Sequence, residues 1–235
     1  PGQPENIVSS LVTGLGGETT ITYAPSTQWP NTQLPFSVQR VSAITTCDNW
    51  NGTTCAGISS TTTYSYAGGF YHLGARDLRG VNYVKVTGQA ATNGDQTISE
   101  TWFHQGSRVD AADESLAELQ ADTAAFTKGL PFRTRVTDQT GRVYSDTTTI
   151  YTADADGVAP WFTPLAQVDT SIENGTKQTR VKYTSYDAYG NLLIEEQQGD
   201  VSTTSHDKTI VSSYGTNSTD CLLGFPTNES IWQGV

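Results

Sequence analysis

The chain has no methionine, not even at position 1, and only three cysteines and three histidines among its 235 residues. The missing initiator, with Pro1-Gly2-Gln3-Pro4 set directly before a strand-like run, leads us to expect a piece of a longer polypeptide. Basic residues are also scarce: 13 Lys and Arg face 24 Asp and Glu, a formal net charge of −11. Phosphate binding needs clusters of Lys and Arg, so a nucleic-acid partner is disfavoured, and the charge reads as the solubility of an exported protein. No apolar run approaches the roughly 18 residues of a membrane-spanning helix, and no basic-then-apolar stretch stands at the start. His72, His104 and His206 fall at no metal-ligand spacing. There is no Gly-x-Ser-x-Gly elbow, and Gly14-x-Gly16 lacks the third glycine of a dinucleotide loop. These absences leave no residue to name as catalytic and no cofactor to expect.

What is present points to β structure. Hydrophobic residues make up 35% of the chain, aromatics reach 10%, and Thr and Ser are abundant. Thr, Tyr, Val and Ile cover a pleated surface well, and a low apolar content suits sheets with a wetted face. One short phrase occurs twice, as Asp138-Gln139-Thr140-Gly141-Arg142-Val143 and as Asp187-Ala188-Tyr189-Gly190-Asn191-Leu192. Asp can accept from backbone N–H groups two residues on, and Gly supplies a positive φ, so each copy reads as a β-hairpin turn. The glycines are 49 residues apart, which suggests a repeated two-hairpin unit and a wall built by repetition. Gly224-Phe225-Pro226 echoes Gly129-Leu130-Pro131 at 95 residues, so the repeat is expected to persist to the C-terminus.

Strand pairs are expected over 7–27, over 34–46 with 58–66, and over 81–87 with 97–104. Further strands are expected at 132–137, 142–151, 178–186, 192–197 and 209–214, with breaks at Gly68-Gly69 and Gly74. One helix is predicted over 110–128, where Val109, Ala112, Leu116, Leu119, Thr123 and Phe126 form a stripe. Asp110 would be its N-cap, with Lys128 in the last turn and Gly129 as the left-handed residue after it.

Cys47 and Cys55 bracket a loop at a hairpin tip, where paired strands bring the chain ends together. A disulfide there is geometrically easy and would contribute roughly 2–3 kcal/mol; two free thiols in a reducing cell are the alternative. Cys221 is left over, expected buried beside Leu222 and Leu223. Asp154-Ala155-Asp156-Gly157 is half of a calcium loop whose later ligands do not arrive, so a plain turn is the better reading. Glu195 and Glu196 are adjacent strand residues facing opposite sides of a sheet, so they cannot act as an acid pair.

Tyr183 to Leu192, with aromatics flanking the turn phrase, resembles the Rhs/YD-repeat family. Gly14 to Thr27, Thr61 to Tyr71 with Ala75 to Val84, Glu100 to Gln105 and Gly129 to Arg133 are similar to further blocks of that family, in order. Together they resemble the shell-forming part of SpvB-type proteins and of the B and C components of Tc toxin complexes. The resemblance implies a mainly β fold of repeated antiparallel hairpins in a curved strip, with the helix at its edge. It implies an N-terminal hairpin section over 1–107, a helical insert over 108–129 and a YD-repeat section over 130–235 that stops mid-pattern. It further implies a bacterial, secreted, non-enzymatic segment of a cocoon that encloses and delivers a toxic C-terminal polypeptide. Its partners would be that polypeptide and neighbouring shell segments, or further copies of itself met through strand edges. The family's self-cleaving aspartate motif finds no match here. Two other readings stay open. One is an extracellular adhesin or glycan-binding module, which clustered exposed aromatics (Trp161 and Phe162 with Trp50) would favour. The other is a secreted hydrolase, which would need Asp154, Asp156 and a histidine to converge.

Overall fold

A computed structural model of the protein describes residues 7–31, 33–106, 125–152, 162–217, 219–220 and 222–234. Its strands are β1 (Ser10–Val12), β2 (Glu18–Pro25), β3 (Gln39–Cys47), β4 (Ser59–His72), β5 (Asp77–Thr87), β6 (Thr97–Phe103) and β7 (Pro131–Asp138), followed by β8 (Val143–Tyr151), β9 (Leu165–Ile172), β10 (Lys177–Tyr186), β11 (Leu192–Gln198), β12 (Lys208–Asn217) and β13 (Leu222–Gln233). All thirteen lie in one sheet whose spatial order is the chain order, so each described strand pairs only with its neighbours in sequence. The pairing is antiparallel throughout. Such a meander reverses direction at every strand. Turns leaving odd-numbered strands therefore line one rim, and turns leaving even-numbered strands line the other.

Residues alternate between the faces of a strand, so the register sorts them into two surfaces. One face carries Thr101, Thr134, Thr147, Thr170 and Thr179 side by side across β6 to β10. Thr147 Oγ1 lies 3.1 Å from Thr170 Oγ1. The other face carries Trp102, Arg133, Thr148, Asp169 and Arg180 in one row and Glu100, Arg135, Asp146, Ser171 and Gln178 in the next. With no second sheet packed on it in the described residues, burial is sparse. Ala24, Cys47, Phe70, Trp102 and Phe132 are the buried apolar residues there.

Several expectations change. β4 runs unbroken through Gly68-Gly69 to His72, with a register shift between Gly69 and Tyr71. Gly69 tolerates no side chain because Asn31 lies over it, its Oδ1 accepting from the Gly69 N–H at 2.7 Å. The sequence reading omits β9 and β13, which sit beside irregular or Gly- and Pro-bearing stretches. The two phrase copies are three strands apart (β7–β8 and β10–β11), so a two-hairpin unit is wrong: an odd number of reversals puts them on opposite rims. The 95-residue echo also fails, because Gly129 is in a turn at φ +83° whereas Gly224 lies inside β13. Most of the predicted helix over 110–128 falls outside the described residues. At its end Ala125–Thr127 form a single 3-10 turn, and Lys128 pairs with Asp77 at 2.7 Å.

Candidate functional site

The two phrase copies build the same turn. Asp138 Oδ1 accepts from the N–H of Thr140 (2.8 Å) and of Arg142 (3.0 Å), and the Gly141 N–H donates to Asp138 O (3.1 Å). Asp187 Oδ1 accepts from Tyr189 N–H and Asn191 N–H, each at 2.9 Å, and the Gly190 N–H donates to Asp187 O at 3.1 Å. Gly141 and Gly190 have φ +86° and +85°. Side chains then tie each turn to neighbouring elements on its own rim. On the rim of Gly141, Gln139 Oε1 accepts from Gln96 N–H (2.9 Å) and Asn174 Oδ1 from Val143 N–H (2.7 Å). On the rim of Gly190, Asn191 Nδ2 donates to Leu223 O (2.6 Å), and the Phe162 ring packs edge-on to Tyr186.

Tyrosines supply a second recurring device. Near the ends of β2, β8 and β10, and midway along the longer β4, the hydroxyls of Tyr23, Tyr151, Tyr186 and Tyr66 donate to the carbonyls of Val8, Pro131, Leu165 and Val41, at 2.8–2.9 Å. Tyr23, Tyr151 and Tyr186 sit at the rim where even-numbered strands end, and all four carbonyls lie in or just ahead of the previous strand. The bond thus recurs on even-numbered strands only, a different spacing from the phrase.

The charged face is internally neutralised. Arg133 bonds Asp146 through two nitrogens, Arg135 bonds Glu100 at 3.0 Å, and Arg180 bonds Asp169 at 2.7 and 2.9 Å. The guanidinium carbons of Arg133 and Arg135 each lie 5.2 Å from the Trp102 ring centre, so the two cations cover the indole. A shallow cavity of about 410 Å³ opens on this face, lined by Arg133, Asp146, Thr148, Asp169, Ser171 and Gln178 with Phe132 behind.

Cys47 and Cys55 form a disulfide with a Cα–Cα distance of 5.8 Å. The loop they close continues the β3–β4 ladder, with Trp50 bridging Cys55 and the Trp50 N–H donating to Gly16 O at 2.7 Å on the neighbouring hairpin.

Residues 2–108 match the family described as the middle/N-terminal region of the insecticide toxin TcdB. Among solved structures, the Photorhabdus luminescens Tc holotoxin pore superposes with a TM-score of 0.71 at 16% identity, over 92% of this chain and 14% of that one. A TcdB2–TccC3–Cdc42 structure gives 0.70 at 16% identity, over 94% and 15%, and TcdB2–TccC3 without its hypervariable C-terminal region gives 0.69 at 16%, over 93% and 14%. The chain shares its fold with a segment of these Tc toxin chains. It spans about one seventh of the length of the solved chains it matches. A search among curated proteins gave no match.

Set on this Tc-toxin-like sheet, the remaining candidates are scattered. His72 Nδ1 accepts from the Ala75 N–H at one rim, whereas His206 lies in the β11–β12 loop at the other. His104 is buried with its ring against Phe132 and Tyr151. Asp154, Asp156, Trp161 and Cys221 lie outside the described residues. Trp50 and Phe162 sit in the β3–β4 and β8–β9 loops, on opposite rims, so the aromatic cluster that would favour a glycan-binding module is not formed by this pair. Glu195 and Glu196 pair with Tyr183 and Lys182 and face opposite sides.

Hydrogen bonds hold several carboxyls below the usual range. The causes are the Lys128 ammonium for Asp77, the Thr140 hydroxyl for Asp138, Arg180 for Asp169, the Asn191 amide for Asp187 and the Ser202 hydroxyl for Asp200. A depressed folded-state pKa stabilises above the unfolded value, about 3.9 for Asp, and that contribution is lost as pH falls through the folded value. Thermal melts are therefore expected to change little between about pH 7 and 5 and to fall modestly below about pH 4, since four of the five carboxyls are exposed to solvent screening. Melting temperatures that hold level down to pH 3 would show that these bonds carry no stability.

Proposed function

We propose that the chain is a section of the wall of a secreted bacterial cocoon of the Tc toxin type, which encloses and delivers a toxic C-terminal polypeptide. One observation carries this reading: thirteen strands follow one another in a single open sheet with a self-neutralised face. Such a sheet has little core of its own, and its ordering makes sense as a length of continuous wall. Residues 1–107 and 130–235 act as consecutive lengths of it, with 108–129 inserted between them. The partners are neighbouring shell segments and the enclosed polypeptide, and any enzymatic activity belongs to that polypeptide. The test is protease protection of the whole parent: the enclosed part survives digestion when the wall is intact and is degraded when β12 and β13 are deleted. Equal degradation in both would refute enclosure by this wall.

The free edge of β13 gives a second expectation. In the described residues this 12-residue strand pairs only with β12, and Phe225, Ile231 and Trp232 on it are each more than 60% exposed. An unpaired, apolar edge templates further pairing. The isolated chain should self-associate with rising concentration in sedimentation velocity, and Ile231→Lys with Trp232→Lys should keep it monomeric. A wild-type chain that stays monomeric at millimolar concentration would exclude pairing through this edge.

A further inference from the structure

The loop closed by the disulfide holds more donor atoms than a structural crosslink uses. Cys47 Sγ, Cys55 Sγ and a carboxylate oxygen of Asp48 all lie within 4.8 Å of one another, the one such grouping among the described residues. Cys47 is buried, Cys55 half-buried and Asp48 exposed, so the group reaches solvent through Asp48.

The loop is not held shut by sulfur alone. The Asp48 N–H donates to Ile58 O at 3.2 Å, Ala56 N–H to Asn49 O at 2.8 Å and Asn51 N–H to Thr54 O at 3.2 Å, extending the β3–β4 ladder to the tip. Asn51 Oδ1 caps that tip by accepting from Thr53 and Thr54 N–H at 3.0 and 2.8 Å. None of these bonds involves sulfur, so they do not themselves depend on the S–S bond. A loop that these bonds hold after reduction would be organised before any ion arrives, which lowers the entropy cost of binding one.

We propose that the reduced loop is a metal site, in which the Cys47 and Cys55 thiolates and the Asp48 carboxylate bind a thiophilic divalent ion such as Zn²⁺. Reduction by a thiol consumes two reductant thiols and yields two protein thiols and one reductant disulfide. Binding then releases two thiol protons, forms two metal–sulfur bonds and one metal–oxygen bond, and leaves a fourth position to water. Zinc–sulfur bonds of about 2.3 Å in a tetrahedron set the sulfurs roughly 3.8 Å apart. Soft thiolates select zinc or copper(I) over magnesium or calcium. Asp48 Oδ1 already accepts from Ile58 N–H at 2.6 Å, so the second oxygen is presented in a fixed direction while that bond orients the group. The same loop is then a covalent staple in oxidising surroundings and a metal clamp in reducing ones.

The test uses the full chain carrying Cys221→Ser, reduced with a phosphine, and a chromophoric chelator that competes for added zinc. One zinc ion per chain is expected to bind the reduced form, with none taken up by the oxidised form or by Cys47→Ser/Cys55→Ser. Asp48→Asn is expected to weaken binding at least about tenfold, since even outer-sphere partners cost roughly 10–100-fold when lost. Cobalt(II) in place of zinc should give a thiolate-to-metal charge-transfer band that the double serine variant lacks. Equal zinc affinity in the reduced, oxidised and double serine forms would overturn the proposal, whereas loss of binding only in the serine variant, with Asp48→Asn unchanged, would remove Asp48 from the site. Circular dichroism of the reduced form checks that the sheet persists; its collapse on reduction would also overturn the proposal, because the backbone bonds would then not hold the ligands together.

Discussion

Replacing Gly190 with Val is expected to cost about 2–4 kcal/mol, and the same change at Gly141 only about 1–2 kcal/mol. Both glycines sit in the left-handed region, at +85° and +86°, where a β-branched residue pays a similar conformational penalty. Their surroundings differ. A Cβ at Gly141 would meet nothing within 4 Å, whereas at Gly190 it would lie 2.9 and 3.1 Å from ring carbons of Phe162. That ring packs against Tyr186, whose hydroxyl is bonded to Leu165 O, so moving it aside gives up this contact. Urea denaturation of the two variants separates the conformational penalty from the packing penalty. Combining Gly190→Val with Phe162→Ala should remove the steric part, and equal midpoints for Gly141→Val and Gly190→Val would show that the rim contact has no energetic weight.

Trp102→Ala is expected to be as damaging, at about 3–5 kcal/mol, the range for emptying a large aromatic site. Trp102 is 5% exposed on a sheet with few buried apolar residues. Its ring lies under two guanidiniums and 5.2 Å from the Tyr83 ring. Removing it uncovers Arg133 and Arg135 together, and both anchor carboxylates on neighbouring strands. Trp232→Ala, at a site 63% exposed, should change stability by less than about 0.5 kcal/mol. Similar losses at the two tryptophans would mean that the cation-covered indole is not a stabilising centre of the sheet.

The strands were legible where alternation and turn chemistry agree. Asn93-Gly94 marks the β5–β6 turn, and Asp138 and Asp187 mark hairpins because their carboxylates satisfy the turn's own N–H groups. Proximity of the loop ends similarly made Cys47 and Cys55 readable as a pair. The ion-pair rows were not legible, because register is a property of two strands and Arg180 is 11 residues from Asp169 while Arg135 is 35 from Glu100. Gly68-Gly69 misled for a related reason: two glycines signal a break, yet here the second admits the Asn31 side chain against a continuous strand. β13 was hidden by Pro226, which an edge strand accommodates and a central one does not. The phrase spacing was correct in residues and wrong in direction, because counting residues ignores how many times the chain has reversed between them.

The strictly sequential strand order also determines how the segment yields to force. Tension applied at the two ends meets β1 and β13 first, and each detaches by peeling from a single neighbour rather than by sliding past two. Hydrogen bonds are then loaded a few at a time, like the teeth of a zip, and the next strand becomes the new outermost one.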